Sequence, residues 1–356
     1  MIGKMSLWVL ILNFLLTMNL GGYNINHIDC NLIHVFEEMK KEYQTKEEVV
    51  NNDEVKSIII SVAGDTTLGY DEDFGYYNSF DHEFERQGKN YNYFFSNVKE
   101  IFKDSDISIL NLEGTLTNHD QPKNKKFTFK GKPEYAKILK KGHIDAVNLA
   151  NNHTMDFGNR GFQDTKKSLE QKGIGYFGYD LEFTKEVKGK KFSILGFTGW
   201  YVNQERKNYL SSRIEQAKAN SDAVIVTFHW GNEYEYVPND TQKELGRSAI
   251  ESGADMVWGH HPHVLQGIEQ YEERYIAYSL GNFCFGGNKN PSDKDSMIFQ
   301  NEFKFKNGKI EEVDHNIIPI SISSKKERNN YQPTPVQNKE KERINERIKE
   351  LNKKID

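Results

Sequence analysis

The stretch Ala254–Gly267, ADMVWGHHPHVLQG, places three imidazoles at the end of an apolar run, at His260, His261 and His263. The apolar segment Met256–Trp258, followed by glycine, is typical of a buried strand, and the alternation of side chains along a strand predicts that His261 and His263 point the same way. Paired imidazoles at a strand end favour a metal site, because neutral imidazole is a common metal ligand and open α/β sheets bind ligands at strand ends. The alternative is a histidine-rich surface loop. The residues at the other predicted strand ends decide between a metal site and such a loop.

Length and composition narrow the class of protein. The 356 residues suffice for one large α/β domain with appendages or for two domains. With 47 Lys and Arg against 52 Asp and Glu the net charge is −5, and no basic run is interleaved with aromatic residues, so we expect no nucleic-acid partner. Cys30 and Cys284 form neither a disulfide framework nor a CxxC metal motif, and a single bridge between them is not predictable.

The N-terminus has the features of a targeting segment. Lys4 precedes an apolar segment from Leu7 to Leu20, which has the length of a secretory h-region and is short for a membrane span. No A-x-A cleavage site follows it, so residues 1–22 are predicted to be either a signal peptide or an N-terminal membrane anchor. We therefore expect an exported, extracytoplasmic protein, secreted or held at the membrane by this segment, and the alternative is a buried helix of the domain. Residues 23–55 are polar and charge-rich and are predicted to form a stalk or linker.

The folded domain is predicted to cover residues 56–324, and its strands end in polar side chains. The first strand is the β-branched run SIIISVA, from Ser57 to Ala63, and it leads into Asp65. A carboxylate at that position is a common metal ligand, and the alternative is a turn or helix-cap aspartate. Further predicted strands deliver polar residues in the same way: Ile107–Leu112 leads to Glu113, Ile144–Leu149 to Asn152 and His153, Ala223–Phe228 to His229, and Tyr275–Leu280 to Asn282.

Helices are predicted between these strands from apolar residues at helical spacing. They cover residues 94–102, 162–171, 209–219 and 241–252. Strands that alternate with helices describe an α/β layered domain. The last predicted strands, around Met297–Phe305 and His315–Ser321, have no helix between them and indicate an antiparallel edge of the sheet.

The strand ends together present carboxylates, an amide and imidazoles. Five of the eleven histidines fall there, namely His153, His229, His260, His261 and His263. A mixed set of nitrogen and oxygen ligands suits one or two divalent metal ions of the manganese, iron or zinc class. The sequence therefore predicts a metal site assembled from distant parts of the chain.

Six short motifs, in the same order, resemble those of the CapA family, the poly-gamma-glutamate capsule synthesis proteins. They are Gly64-Asp65, Asn111-Leu112-Glu113-Gly114, the segment Asn151–Gly158, His229-Trp230-Gly231, Gly259-His260-His261-Pro262-His263 and the segment Ser279–Phe283. The resemblance implies a fold similar to that of calcineurin-like metallophosphoesterases, which is a four-layer α/β sandwich of two mixed sheets flanked by helices. It also implies a bacterial, membrane-anchored, extracytoplasmic protein that acts with capsule synthase and exporter subunits of the membrane on an anionic polymer or a phosphorylated substrate.

The same resemblance implies roles for individual residues. The implied metal ligands are Asp65, Glu113, Asn152, His229, His261 and His263, with His260 as an alternative partner in the last pair. His153 matches the imidazole that contacts the scissile phosphate, Asp156 would orient it, and Asn282 is a further site residue whose alternative role is in a turn. Thr67 stands where the first phosphoesterase motif has a histidine, and Glu113 takes the place of the metal-bridging aspartate of those enzymes. A single metal ion is therefore an alternative to two.

Three functions fit these residues. A metal-dependent hydrolase or transferase of the phosphoesterase type would support polymer synthesis or export. A non-catalytic scaffold would keep the site residues while tethering the synthase and exporter at the membrane. A metal-dependent amide hydrolase would cleave gamma-glutamyl or cell-wall bonds and release glutamate oligomers rather than phosphate.

The C-terminal residues 325–356 are charged and are predicted to be partly helical. Ile344, Ile348, Leu351 and Ile355 recur at helical spacing. Such a stripe would dock on the domain, pair with another copy or contact a partner protein, and its mixed charges argue against a basic membrane helix. The alternative is a solvated helix that packs lightly on its own domain.

Overall fold

The β-branched run that begins at Ser57 lies in the central strand of a large mixed sheet. The structure is a computed structural model that describes residues 56–355. β-branched side chains favour the pleated, half-buried surface of a sheet, and this strand is buried along most of its length. The predicted signal or anchor segment, the predicted stalk and Cys30 lie outside the described residues.

The strands of the described residues form two large sheets and one small one. In chain order they are β1 (Lys56–Thr67), β2 (Ile107–Leu112), β3 (Thr115–Leu116), β4 (Lys130–Gly131), β5 (Ala146–Asn148), β6 (Gly175–Phe177), β7 (Glu182–Val187), β8 (Lys190–Gly199), β9 (Ala223–Trp230), β10 (Met256–His260), β11 (Ile268–Tyr271), β12 (Arg274–Ala277), β13 (Asn282–Phe285), β14 (Asp295–Lys306), β15 (Lys309–Ser321) and β16 (Thr334–Pro335). The larger sheet has the order β16-β15-β14-β1-β2-β5-β6, with β13 paired beside β1, and the smaller has the order β11-β12-β10-β9-β8-β7. β3 and β4 pair with each other.

Both large sheets combine a parallel centre with antiparallel edges. In the larger sheet β1, β2, β5 and β6 are parallel, whereas β14, β15 and β16 are antiparallel to their neighbours. In the smaller sheet β8, β9, β10 and β12 are parallel, whereas β7 and β11 are antiparallel. The antiparallel pair predicted for the last strands is confirmed as β14 and β15, and the two-residue β16 covers the edge of that pair.

Among residues 56–355 the first six α-helices cover the outer faces of the sheets, and a seventh follows the last strand. They are α1 (Phe80–Arg86), α2 (Lys99–Lys103), α3 (Ala136–Lys141), α4 (Gly158–Glu170), α5 (Gln204–Lys218), α6 (Asp240–Glu251) and α7 (Asn338–Asn352), with short 3₁₀ helices at Glu72–Phe74 and Pro133–Tyr135. α6 begins with a capping box, in which Asn239 and Gln242 satisfy each other's backbone N–H groups.

The helix predicted over residues 94–102 is wrong in its extent, because only α2 is α-helical there. The residues before it form turns, in which the backbone N–H groups of Ser96 and Val98 donate to carbonyls three residues earlier. Phe94 stacks on Phe80 with ring centroids 4.3 Å apart, so its apolar side chain is used for packing without a continuous helix. Tertiary packing thus overrides the helical periodicity of this segment.

Three apolar cores show the order of the layers. The first lies between the larger sheet and the helices α1 to α4, the second between the two sheets, and the third between the smaller sheet and the helices α5 and α6. The layers are therefore helix, sheet, sheet and helix. The predicted α/β sandwich of two mixed sheets flanked by helices is confirmed.

The C-terminal helix α7 packs against this sandwich. Ile344, Ile348 and Leu351 are buried in the core that lies between the two sheets, and Arg343 forms an ion pair with Asp295 at 2.6 Å. The apolar stripe of the tail therefore docks on its own domain. Every helix within residues 56–355 is too short or too polar to cross a lipid bilayer.

Candidate metal centre

The carboxyl ends of the parallel strands from both large sheets meet at one place. Asp65 lies near the end of β1 and pairs with Asn111 of β2, while His229 of β9 pairs with His260 of β10. The side-chain amide of Asn111 donates to Asp65 Oδ1 at 2.8 Å, and its Nδ2 lies 3.3 Å from His229 Nδ1 in the other sheet. Strand ends of this kind are the usual ligand-binding positions of open α/β sheets.

Glu113, directly after β2, lies at the centre of this cluster. Its side chain is fully buried, and neither of its oxygens accepts a hydrogen bond from residues 56–355. Its Oε1 atom lies 3.8 Å from His153 Nε2, 3.8 Å from His229 Nε2 and 3.7 Å from His263 Nε2, which is too far for hydrogen bonds. Two ligand atoms that each lie about 2.0–2.2 Å from one ion are at most about 4.4 Å apart, so each of these distances, taken by itself, allows a cation between Glu113 and that imidazole. A buried carboxylate without a donor is otherwise costly, and an ion would satisfy it.

One group of potential ligands consists of Asp65, Glu113 and His263, whose nearest ligand atoms all lie within 4.8 Å of one another. Burial opposes the ionisation of Asp65, but hydrogen bonds with His260 and His263 outweigh it and hold the pKa of Asp65 well below its ordinary value. Burial alone would lower the pKa of His263, whereas the charge of Glu113 and the hydrogen bond with Asp65 raise it to about 9. The potential at this position therefore attracts positive charge.

A second group consists of Glu113, His229 and His261, again within 4.8 Å. Asn152 joins it, because its Oδ1 atom lies 2.8 Å from His229 Nε2. Burial holds the pKa of His229 well below its ordinary value and lowers the pKa of His261 to about 3, so both imidazoles are neutral at pH 7. Neutral imidazole is the form that binds metals. Glu113 belongs to both groups, so its carboxylate could serve as a ligand in either.

His260 and Asn282 surround these groups rather than joining them. His260 Nδ1 lies 3.5 Å from Asp65 Oδ1, and His260 belongs to none of the potential ligand groups found among residues 56–355. Asn282 Oδ1 lies 3.0 Å from His263 Nδ1, and the Asn282 amide donates to the His263 carbonyl at 3.1 Å. These two contacts fix the ring of His263 with its Nε2 atom towards Glu113, which is the role of a positioning residue.

His261 and His263 point the same way, as predicted, but the reason expected for it, alternation along a strand, is wrong. β10 ends at His260, and His261 and His263 follow in a turn with φ angles of 97° and 58°. Pro262, between them, has no N–H to continue a sheet ladder. The left-handed backbone of this turn, rather than the two-residue period of a strand, turns both imidazoles towards the cluster.

His153 lies beside the cluster in a fixed orientation. Its Nδ1 atom is 2.7 Å from Asp156 Oδ2, and its ring stacks on Phe129 with centroids 4.1 Å apart. Asp156 is fully buried and also accepts hydrogen bonds from Lys125 Nζ and from the Phe129 N–H, each at 2.7 Å. Burial lowers the pKa of His153, although the hydrogen bond with Asp156 works in the opposite direction. Nδ1 is thus engaged by Asp156, and Nε2 faces the cluster.

A cleft of about 460 Å³ opens above the cluster. Its walls are largely aromatic, and it contains the side chains of His153 and His263 together with one cationic and one acidic residue. Its lining residues include Phe74, Phe127, Phe129, His153, Glu233, Tyr234, His263, Phe285 and Lys289. A cleft with a few convergent polar groups at its floor is the usual form of a small-molecule site.

All ten residues predicted from the sequence lie at or beside this cluster, whereas three others were missed. Asn111 connects Asp65 to His229, and its position in the strand-end motif could have indicated a role. Lys125 lies in a polar loop without a recognisable pattern, so nothing in the sequence pointed to its contact with Asp156. Glu233 forms a third potential ligand group with His261 and His263, and lies four residues after the strand-end histidine of β9.

Comparison with known proteins gives one family and several relatives. The family model described as "Bacterial capsule synthesis protein PGA_cap" matches residues 59–287. The PGA biosynthesis protein CapA of Bacillus subtilis is 36% identical over 237 residues, which are 60% of this chain and 62% of that protein. The capsule biosynthesis protein CapA of Bacillus anthracis is 32% identical over 257 residues, which are 65% of this chain and 61% of that protein. The chain thus spans less than two thirds of the length of either relative.

Among solved structures, a putative 5'-nucleotidase from Staphylococcus aureus is similar, with a TM-score of 0.47 and 11% identity. The similarity covers 83% of this chain and 58% of that one. At this distance it supports no inference about activity.

Proposed function

The chain belongs to the PGA_cap family of bacterial capsule synthesis proteins, and from this premise we propose that it is an exported, metal-dependent hydrolase or transferase acting on a phosphorylated substrate in capsule polymer synthesis or export. The feature that carries this proposal is Glu113, a buried carboxylate without hydrogen-bond donors among residues 56–355, whose Oε1 atom faces three imidazole nitrogens at 3.7–3.8 Å. Burial raises the pKa of the Glu113 carboxyl well above its ordinary value, so a bound cation is what would keep this group ionised. The name of the Bacillus subtilis relative, a PGA biosynthesis protein, supports poly-gamma-glutamate as the polymer, and the name of the Bacillus anthracis relative supports a role in capsule biosynthesis.

The residues of the cluster divide into two sets that share Glu113. Asp65, Glu113 and His263 would hold one ion, and Glu113, Asn152, His229 and His261 would hold a second. When bound, a divalent cation polarises an oxygen of the substrate and lowers the pKa of water at the site to about 7. Manganese, iron and zinc ions all accept this mixture of imidazole, amide and carboxylate.

His153 is the residue that would act on the substrate directly. Asp156 holds its Nδ1 atom at 2.7 Å, so its Nε2 atom, on the cluster side, is free to hold and release a proton at the leaving group. The stacked ring of Phe129 prevents the imidazole from turning away. Lys125 forms an ion pair with Asp156 at 2.7 Å, which helps to fix the position of that carboxylate.

The proposed location and partners rest on the N-terminal segment and on the family. The apolar run from Leu7 to Leu20 would direct export and attach the protein to the membrane. There it would meet the membrane subunits of a capsule synthase or exporter, and an anionic polymer or its phosphorylated precursor. A reporter fusion after residue 55 tests the export, because an enzyme active only outside the cytoplasm would report translocation.

Alanine substitution of His153 and of His261, each alone, tests the proposed activity. His143→Ala is a control, because His143 is an exposed histidine at the far end of β5 from the cluster. Each full-length variant is assayed on bis(4-nitrophenyl) phosphate and on gamma-glutamyl peptides, and for polymer production in a polyglutamate-making bacterium that lacks its own family member. We expect both site variants to lose phosphodiester cleavage and polymer production while remaining folded.

Other outcomes identify the alternatives. Polymer production that survives both substitutions, without phosphodiester cleavage by the wild type, would show a scaffold. Release of glutamate oligomers without cleavage of phosphodiesters would show an amide hydrolase. Either result would refute the phosphoesterase proposal.

A further inference from the structure

The loop after β9 brings an acidic side chain to the open side of the cluster. Glu233 is exposed and lines the cleft, and its carboxylate lies within 4.8 Å of ligand atoms of both His261 and His263. Most acidic residues on a protein surface have no role in metal binding. Here, however, the carboxylate is the only acidic member of a potential ligand group among residues 56–355 that is not buried.

The backbone of this loop is fixed on both sides of Glu233. The N–H of Tyr234 donates to the carbonyl of Pro262 at 2.8 Å, which ties the loop to the turn that carries the two histidines. The side chain of Gln266, which is fully buried, donates to the carbonyl of Glu235 at 2.9 Å. Gly231, with φ of 76°, lies so close to Gln242 that a Cβ atom there would be 2.6 Å from it. Glu233 is therefore held next to the histidines rather than extended freely into solvent.

Beneath the cleft, some potential ligand atoms of the cluster are buried without hydrogen-bond partners among residues 56–355. Both carboxylate oxygens of Glu113 and the Nδ1 atom of His261 are buried and have no hydrogen-bond partner within residues 56–355. The set around His263 contains three ligand residues, whereas the set around His229 contains four. Thr67, which is near Glu113, uses its hydroxyl to donate to the Glu113 carbonyl at 2.8 Å. A divalent ion of the zinc class takes about four ligands and in catalytic sites keeps an open position, so the centre leaves room for a ligand on the cleft side.

We propose that Glu233 is a metal ligand, which binds an ion from the cleft side together with His261 and His263, the two histidines with which its carboxylate forms a potential ligand group. The inference rests on the proposed metal dependence of the same site and adds the residue that closes it. A third carboxylate also balances charge, because Asp65 and Glu113 together supply only two negative charges near ions that carry two positive charges each. The ligand comes from the solvent side, so the affinity of this ion depends on the loop after β9.

The experiment compares Glu233→Gln with Glu235→Gln in the full-length protein. Glu235 is a matched control, because it is an exposed glutamate two residues away in the same loop and belongs to none of the potential ligand groups found within residues 56–355. Glu113→Gln is the variant that should lose the centre altogether. Binding of Mn²⁺ is titrated by the electron paramagnetic resonance of the free ion, and binding of Zn²⁺ by metal analysis after dialysis. Neither measurement requires a substrate.

We expect Glu233→Gln to lower the affinity for one ion at least about tenfold. Even residues that only hydrogen-bond to metal ligands change metal affinity by about 10–100-fold when they are mutated. Glu235→Gln should bind the metal ions as the wild type does. Without metal, both Glu233→Gln and Glu235→Gln should melt at the wild-type temperature. Equal binding by Glu233→Gln and the wild type, together with loss in Glu113→Gln, would overturn the role of Glu233 and leave the proposed function intact. Absence of binding by the wild type would overturn both.

Discussion

Replacing Asp156 by asparagine should disable His153 while leaving the metal ligands in place. Oδ1 of Asp156 accepts from Lys125 at 2.7 Å, and Oδ2 accepts from the Phe129 N–H and from His153 Nδ1, each at 2.7 Å. An asparagine has one acceptor oxygen, so its NH₂ group must face at least one of these donors. The site is fully buried, and water cannot easily replace the lost acceptor.

The magnitudes follow from these contacts. A buried donor without an acceptor costs about 1–3 kcal/mol and a charged one somewhat more, which predicts a loss of about 2–4 kcal/mol of unfolding free energy. At about 2 °C per kcal/mol for a domain of this size, Tm should fall by about 4–8 °C. An imidazole that loses its orienting carboxylate typically loses about 10²–10⁴-fold in rate, and we expect kcat to fall in that range.

The assay measures kcat and KM on bis(4-nitrophenyl) phosphate, Tm, and the metal content of the same preparations. Asp120→Asn is the control, because Asp120 also accepts from a lysine but its side chain is 81% exposed. We expect the metal content of Asp156→Asn to match that of the wild type. A kcat within about threefold of wild type would refute the orienting role of Asp156, and a loss of metal would show that it acts on the ligands instead.

Three further results are expected. A divalent ion present at 100 times its Kd should raise the unfolding free energy by about 2.7 kcal/mol and Tm by about 5 °C, and either a chelator or Glu113→Gln should abolish this shift in a thermal melt. Burial opposes the ionisation of Asp295, but hydrogen bonds led by that of Arg343 hold its pKa below the ordinary value of 3.8, so this contribution to stability is complete above about pH 4 and is lost as pH falls below it. Asp295→Asn should therefore lower Tm more at pH 7 than at pH 3, and an equal effect at both would contradict this. Gly267→Ala would place a Cβ atom 2.8 Å from the Leu351 carbonyl and should cost about 1–3 kcal/mol by displacing the C-terminal helix, whereas an unchanged denaturation midpoint would show that the helix contributes little.

Much of the fold and of the centre could be predicted from the sequence because both depend on buried strands. Each apolar run that leads into Asp65, Glu113 or His229 forms a parallel strand, and parallel strands present their carboxyl ends at one edge. The polar residues that follow such runs must therefore converge. His153 and Asp156 were predicted through the family resemblance, and the structure supplies the hydrogen bond that connects them.

The remaining features depend on loops and long-range packing, which leave weak traces in a sequence. His261 and His263 converge through left-handed turn residues, and no periodicity reports a turn of that kind. Glu233 reaches the centre only because the Tyr234 N–H binds the Pro262 carbonyl in another loop. The apolar stripe of α7 predicted a helix but could not identify its partner, since apolar spacing is the same for any surface that covers it.

Anomalous diffraction from crystals of the full-length protein grown with Mn²⁺ tests the metal centre most directly. We predict a peak within about 2.0–2.3 Å of Glu113 and His263, and a second one near Glu113, Asn152 and His229 if both ions bind. Crystals that diffract well but contain no anomalous peak between these side chains, with Glu113 bonded to water or protonated against a neighbour instead, would contradict the assignment of a metal centre.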